Sequence, residues 1–325
     1  MPSVTVIIPA RPDEPEVKAA VAARQLDYPA DKLEIILARG KQPSVQRNTA
    51  LRAAKGELIY FLDDDSLPPP GNLQKAVVHF RDPQVQMLGG PNLCPPEAPE
   101  LEQVFALVLS SWLAFGPSRA RYAKVGAVRP SSEKELILCN LMARRDTLLK
   151  HGGFNEALYP NEENALMDEI QTEGGKLIYD PDFIVHRRPR RTLGAFCRML
   201  RTYGRGRAEQ FRETPTFGSA LNFVPPLFLV YLLTWIIVVN ITFVPRARYF
   251  PELYSLPLAF YAVAVLLQVL ALVSSGGIVR SFCALPLIAL THVLYGFGFW
   301  IGLFTTLKPP GERPDVPVKL ELVGK

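Results

Sequence analysis

The sequence predicts an α/β fold: a mixed, mostly parallel sheet with helices on both faces, followed by C-terminal transmembrane helices. Two patterns predict the sheet. Short apolar runs recur in the first third, "VTVIIPA", "LEIILAR", "ELIYFL" and "VQMLGG", and each reads as a buried strand. Stretches with helical spacing separate them, which is the alternation of βαβ units and of a sheet covered on both faces. A third pattern predicts the membrane part: between Val224 and Phe304 the charged residues are Arg246, Arg248, Glu252 and Arg280 alone.

The elements follow in order. Residues 4–10 form a first strand and 14–27 a helix. Residues 33–39 form a second strand, and 43–56 a helix with Ser44 at its cap and Gly56 at its stop. Residues 57–62 form a third strand, 71–82 a helix and 85–90 a fourth strand. "LCPPEAPE" (93–100) is a proline-rich loop. In sheets of this kind ligands bind at the carboxyl ends of the strands. Three groups fall at such ends: Pro9, Ala10 and Arg11; Arg39 and Gly40; and Asp63, Asp64 and Asp65.

Three apolar runs, 224–244, 256–273 and 281–304, each approach the roughly 18 to 25 residues that cross a bilayer. They explain why a chain that is 21% charged has a mean hydropathy of +0.11. The sequence divides at these runs: 1–212 as an α/β domain ending in a basic interfacial helix at about 192–212, 213–306 as a membrane domain, and 307–325 as a polar tail. "MPSVTVIIPA" starts as a strand, with no charged region before an apolar segment, so no signal peptide is expected. The net charge of +5 is concentrated between His186 and Arg212, just before the first apolar run. That suits a cytosolic position against anionic lipid headgroups. It does not suit nucleic acid, since no module with base-stacking aromatics accompanies the charge. Cys94, Cys139, Cys197 and Cys283 are scattered without a CxxC pair, so neither a disulfide framework nor a zinc site is expected.

Three adjacent aspartates at a strand end repel one another unless a cation sits among them or water screens them. In an extended segment residues i and i+2 point the same way, so Asp63 and Asp65 are expected to face one cavity. Hard divalent cations take such oxygen ligands together with phosphates.

"PSVQRNTALRAAKGELIYFLDDDSLPPPGNL" and "ELILCNLMARRDTLLKHGGFNEALYPNEENALMDEIQTEGGKLIYDPDFIVHRRPR" resemble the family 2 glycosyltransferases of GT-A fold, in their membrane-anchored bacterial type. The resemblance covers about residues 3 to 210. It rests on an ordered set: an Arg-Asn helix, a D-x-D turn, an Asn before a strand, a "GGF" turn, an acidic pair opening a helix and a late His. The resemblance implies a nucleotide-sugar donor and a divalent cofactor, Mg²⁺ or Mn²⁺, with Asp65, Asp63 and His186 as candidate metal ligands. It implies that Glu163, the second member of the acidic pair with Glu162, is the catalytic base. Donor contacts are expected from Pro9, Ala10, Arg11, Arg39, Arg47, Asp63, Asp64, Asn140 and Arg188.

One departure is visible. Relatives usually end the second strand in an Asp-rich turn that reads uracil, whereas this strand ends "ILARGKQPS", without a carboxylate. Arg39 or Lys41 would meet phosphate instead, or the donor carries another base. The expected function is inverting, metal-dependent transfer of a sugar to a membrane-associated glycan or lipid, in surface polysaccharide or glycolipid synthesis, with polyprenyl-phosphate glycosylation as the alternative. A non-catalytic membrane scaffold with a degenerate transferase domain is a third reading. The expected location is the inner membrane, multi-pass, with the catalytic domain in the cytoplasm. The length of the first run favours three crossings. Pro225 and Pro226 allow a re-entrant first segment and two crossings instead.

Overall fold

A computed structural model describes residues 1–156, 162–213, 215, 217–241, 250–306 and 317–324. The chain divides into two compact units. The first comprises residues 1–97, 117–188 and 308–325; the second comprises 98–116 and 189–307.

The first unit is built on one eight-stranded sheet of order β10-β2-β1-β3-β7-β4-β8-β6. Its strands are β1 (Val4–Ala10), β2 (Leu33–Arg39), β3 (Leu58–Leu62), β4 (Val85–Gly89), β6 (Arg129–Pro130), β7 (Asn140–Arg144), β8 (Lys176–Tyr179) and β10 (Lys319–Leu322). A separate parallel pair joins β5 (Asn92–Leu93) to β9 (Val185–His186). β1 runs parallel to β2 and β3, and β4 parallel to β8. β7 lies antiparallel between β3 and β4, so β1, β2, β3, β4 and β8 share one direction. The mixed, mostly parallel sheet agrees with the expected fold class.

Helices cover both faces of this sheet: α1 (Lys18–Arg24), α2 (Pro43–Ala53), α3 (Asn72–Val77), α6 (Arg145–Lys150) and α7 (Glu162–Thr172). Alternating residues of each strand feed two cores. Val6, Ile8, Leu37 and Tyr60 enter one, Ile7, Ile36, Ile59 and Phe61 the other. Strands buried on both faces are why these runs read as continuously apolar. Each fully buried Ile, Leu or Phe contributes about 1.5–3 kcal/mol. The capping expected of Ser44 is not formed. Gln42 is the N-cap, Pro43 takes the first turn, and the Ser44 hydroxyl donates to Glu162 at 3.0 Å. Gly56 lies beyond the end of α2, where a β-carbon would overlap the backbone of Thr5.

Within the tail, residues Lys319–Leu322 form a strand. β10 pairs antiparallel with β2, Lys319 opposite Arg39 through Leu322 opposite Ile36. The period-2 pattern of "VKLEL" explains it: Val318 and Leu320 pack on the core behind β2.

The second unit holds α4 (Glu100–Leu109), α5 (Trp112–Phe115), α8 (Leu193–Glu213), α9 (Val224–Ile241) and α10 (Phe250–Phe304). Two segments, Ala220–Asn240 and Glu252–Phe304, are long and apolar enough to cross a membrane. The second and third apolar runs form the two arms of α10, broken at Gly277, where φ is 75°. Glycine allows that left-handed value. Tyr261 and His292, on either side of the break, meet at 2.7 Å, so the two arms fold against one another. The basic helix α8 is close to its expected range, and glycines let it pack backbone to backbone on α10. A β-carbon at Gly204 would overlap the Tyr295 carbonyl, and one at Gly298 or Gly302 the carbonyl of Arg201 or Arg205. Arg246, Arg248, Lys308, Arg313 and Lys325 lie outside the described residues.

Candidate active site

β3 ends at Leu62, and the next four residues close into a turn. The Ser66 amide donates to the Asp63 carbonyl at 3.1 Å. The Asp63 amide donates to the Ser66 hydroxyl at 3.2 Å, and that hydroxyl donates to the Cys139 carbonyl at 3.2 Å. A serine side chain thus satisfies backbone groups that the sheet no longer pairs. The three aspartates therefore sit in a turn, and strand alternation is not what brings Asp63 and Asp65 together.

Two arginines do so. Arg187 places Nη1 3.1 Å from Asp63 Oδ2, and its Nε donates to Asp65 Oδ1. Arg47, on α2, holds the other oxygen of Asp63 through Nη2 at 2.7 Å and reaches Glu162 Oε1 through Nη1 at 3.3 Å. The side chains of Arg47 and Glu162 are only 5% and 2% exposed. A buried ion pair of this kind persists when further hydrogen bonds complete it, and Ser44 supplies one. The aspartate turn, α2 and the N-terminus of α7 are thus joined by one charged chain. Arg187 is the member of the Arg187-Arg188 doublet that the structure turns to the aspartates. Arg188, the donor contact expected from the resemblance, is exposed. In an Arg-Arg doublet leaving a strand, neighbours face opposite ways, and composition does not say which faces inward.

The aspartate turn remains rich in negative charge. Burial and the repulsion of Asp65, Glu14 and Asp63 push the Asp64 carboxyl up to about 6. One oxygen of Glu14 is buried with no hydrogen-bond partner among the described residues. Burial works against the charge of Arg187, but Asp63 and Asp65 hold it firmly cationic. Burial pushes the neighbouring Cys139 thiol up to about 12, so it stays protonated. Asp63, Asp64 and Asp65 carry the carboxylate oxygens that hard divalent cations take as ligands, while His186 meets the turn through its backbone, pairing with Leu67 at 2.9 and 3.0 Å. Among the described residues the side chains whose ligand atoms converge are instead His151, Glu169 and Glu173. The repulsion on Asp64 indicates that the arginines leave negative charge uncompensated.

The other expected residues are placed as follows. Pro9 and Ala10 close β1, with Ala10 O accepting from Gly40 N at 3.0 Å and from Gln46 at 2.8 Å; Arg11 is exposed beyond them. Arg39 is committed to the protein. It pairs with Glu321 of β10 at 2.9 Å and donates to the carbonyls of Glu14 and Arg11 at 2.8 and 3.2 Å. Asn140 is fully buried. It donates to Phe183 O at 2.6 Å and accepts from the Tyr60 hydroxyl at 2.9 Å, so its side chain is spent within the core. Glu163, one residue beyond the clamped Glu162, is half-buried and makes no side-chain hydrogen bond or ion pair among the described residues.

A mostly parallel sheet with an aspartate turn and an acidic helix N-terminus at its ligand-binding edge defines the class of GT-A-type transferases. Residues 58–301 match the family described as glycosyl transferase family group 2, and the chain belongs to that family. The pre-mycofactocin glycosyltransferase of Mycobacterium tuberculosis is 31% identical over 147 residues, covering 45% of this chain and 30% of that protein. The chain thus spans less than a third of the length of this curated relative. Among solved structures, the mannosyltransferase PcManGT from Pyrobaculum calidifontis, in complex with GDP-Man and Mn²⁺, superposes with a TM-score of 0.53 at 19% identity. That match covers 93% of this chain and 87% of that one, and it shows the shared fold.

Proposed function

We propose that the chain is an inverting, metal-dependent glycosyltransferase that moves a sugar from a nucleotide-sugar donor to a membrane-associated glycan or lipid. The observation that carries this reading is the Asp63–Arg47–Glu162 chain, which ties the aspartate turn to the acidic pair and, among the described residues, leaves the Glu163 side chain without a hydrogen bond or ion pair. Glu163 takes the proton from the acceptor hydroxyl as its oxygen attacks the anomeric carbon. The bond from that carbon to the diphosphate breaks, and its electron pair leaves with the diphosphate. A divalent cation held by Asp65, Asp63 or Asp64 and His186 would neutralise charge on that leaving group. Asn140 acts as a positioning residue, holding Tyr60 and the Phe183 backbone behind the turn. Arg39 positions the loop after β1 instead of touching the donor.

GDP-mannose is the first donor to try, because a structural relative binds it and because β2 lacks the carboxylate expected for uracil. The two apolar segments support a membrane-bound enzyme, placed at the cytoplasmic face where nucleotide sugars are made. The test is transfer and donor hydrolysis by the full chain in detergent with Mn²⁺, with and without EDTA, over a panel of nucleotide sugars. Turnover with a nucleotide sugar that EDTA stops is expected. No turnover with any donor favours the scaffold reading.

A further inference from the structure

We propose that Arg187 is the resident counter-ion of the Asp63–Asp65 pair, displaced when a divalent cation binds, and that the displaced guanidinium then holds the donor diphosphate. This rests on the proposed function of the same site. It adds a residue and a coupling which that reading does not require.

The geometry points to Arg187 and away from Arg47. Both arginines touch Asp63, one on each oxygen. Arg47 is 5% exposed and bound also to buried Glu162, so removing it would strand a buried carboxylate. Arg187 is 22% exposed, and its second partner Asp65 is 44% exposed. Its backbone is pinned, with the amide donating to Leu93 O at 2.9 Å. Only the side chain needs to move, pivoting from a fixed strand end.

Arg187 and a divalent cation use the same oxygens. A guanidinium across Asp63 and Asp65 occupies the oxygens that a cation would take and supplies part of the positive charge these carboxylates require. Bringing a second cation onto them sets like charges within a few ångströms in a partly desolvated site, where screening is weak. The arrangement is stable with either occupant and strained with both. A diphosphate resolves the conflict. It brings negative charge at the moment the guanidinium loses its carboxylates, and a planar fork of donors matches phosphate oxygens. Cation binding and diphosphate binding are therefore coupled, each favouring the other. The leaving diphosphate then meets a fixed positive charge supplied by the chain itself. When products depart, Arg187 returns to the pair and keeps the aspartates from repelling one another.

The experiment is Mn²⁺ binding followed by electron paramagnetic resonance on the full chain in detergent, alone and with inorganic pyrophosphate. Wild type, Arg187→Gln and Arg187→Lys are compared. Arg187→Gln is expected to bind Mn²⁺ alone about tenfold tighter than wild type, in the range for coupled sites. It should lose the increase in Mn²⁺ affinity that pyrophosphate gives the wild type. Arg187→Lys should fall between, because a point charge cannot fork across two carboxylates. If Arg187→Gln binds Mn²⁺ no tighter than wild type, the proposal is overturned and Arg187 is a structural pair. Should Arg187→Gln fail to fold, Arg187→Lys decides: tighter Mn²⁺ than wild type upholds competition, and equal or weaker binding overturns it. Absence of Mn²⁺ binding in all three also overturns it, and sugar transfer in EDTA then reports separately on whether the chain is a transferase.

Discussion

Asp63 and Glu162, distant in sequence, share one guanidinium: Arg47 lies 2.7 Å from the first and 3.3 Å from the second. The turn after β3 and the start of α7 therefore cannot shift independently. Two consequences separate cleanly. Glu162 is structural charge held in the interior, whereas its neighbour Glu163 makes no side-chain hydrogen bond or ion pair among the described residues.

Arg47→Gln should destabilise the first unit by about 3–5 kcal/mol, the scale for leaving one member of a buried pair unpaired. Denaturant unfolding of the purified chain measures it. A change below about 1 kcal/mol would mean that water already solvates Glu162.

Glu163→Gln should behave in the opposite way. Stability and donor affinity should hold, while turnover falls by about 10²-fold or more, the usual effect of losing a general base. Single-turnover kinetics with GDP-mannose, or whichever donor is active, reads this directly. Weaker donor binding with normal turnover would move Glu163 into the donor site.

Asp65→Ala removes a carboxylate that is 44% exposed and little packing. Transfer should be lost with the unfolding temperature nearly unchanged, and EDTA on the wild type should reproduce the loss. Wild-type rates at saturating Mn²⁺ would exclude Asp65 as a ligand.

Gly298→Val should separate α8 from α10, because any β-carbon there meets the Arg201 backbone. Overpacking costs typically about 1–3 kcal/mol, and backbone is less forgiving than a flexible side chain. Thermal unfolding in detergent should show the second unit melting earlier, with the first unit unaffected.

A cysteine at Lys319, 75% exposed on β10, and one at exposed Lys55 should be labelled from the same side of a sealed vesicle. Cys94, Cys197 and Cys283 are replaced by Ser for this purpose. Cys139, buried with its thiol pushed up to about 12, stays silent. Labelling of the two sites from opposite sides would mean that β10 leaves the sheet in the membrane.

The parts legible in the sequence were those written locally. β1, β2 and β3 are continuous apolar runs, so their ranges follow within a residue. What escaped depends on distant partners. Arg39 offers nothing in its own neighbourhood to suggest Glu321, which the fold brings to 2.9 Å. Asn140 looks like a ligand contact until Tyr60 and Phe183 are seen to use its side chain. Arg187 and Arg188 are identical as letters, and only the sheet distinguishes them. The turn at 63–66 was read as extended because the hydroxyl of Ser66 closes it, a bond that periodicity does not record.

β10 has a consequence of a different kind. Residues 189–307 leave the first unit and return to it, since strand 319–322 lies hydrogen-bonded in the same sheet as β1 and β2. A path that begins and ends on one side of a plane pierces it an even number of times. Were the sheet held on one side of a bilayer, three crossings would put strand 319–322 on the side away from β2, with which it pairs. A seating in lipid that keeps this pairing would have an even number of passages. The closing strand acts as a parity check on the topology, written in hydrogen bonds far from the helices it constrains.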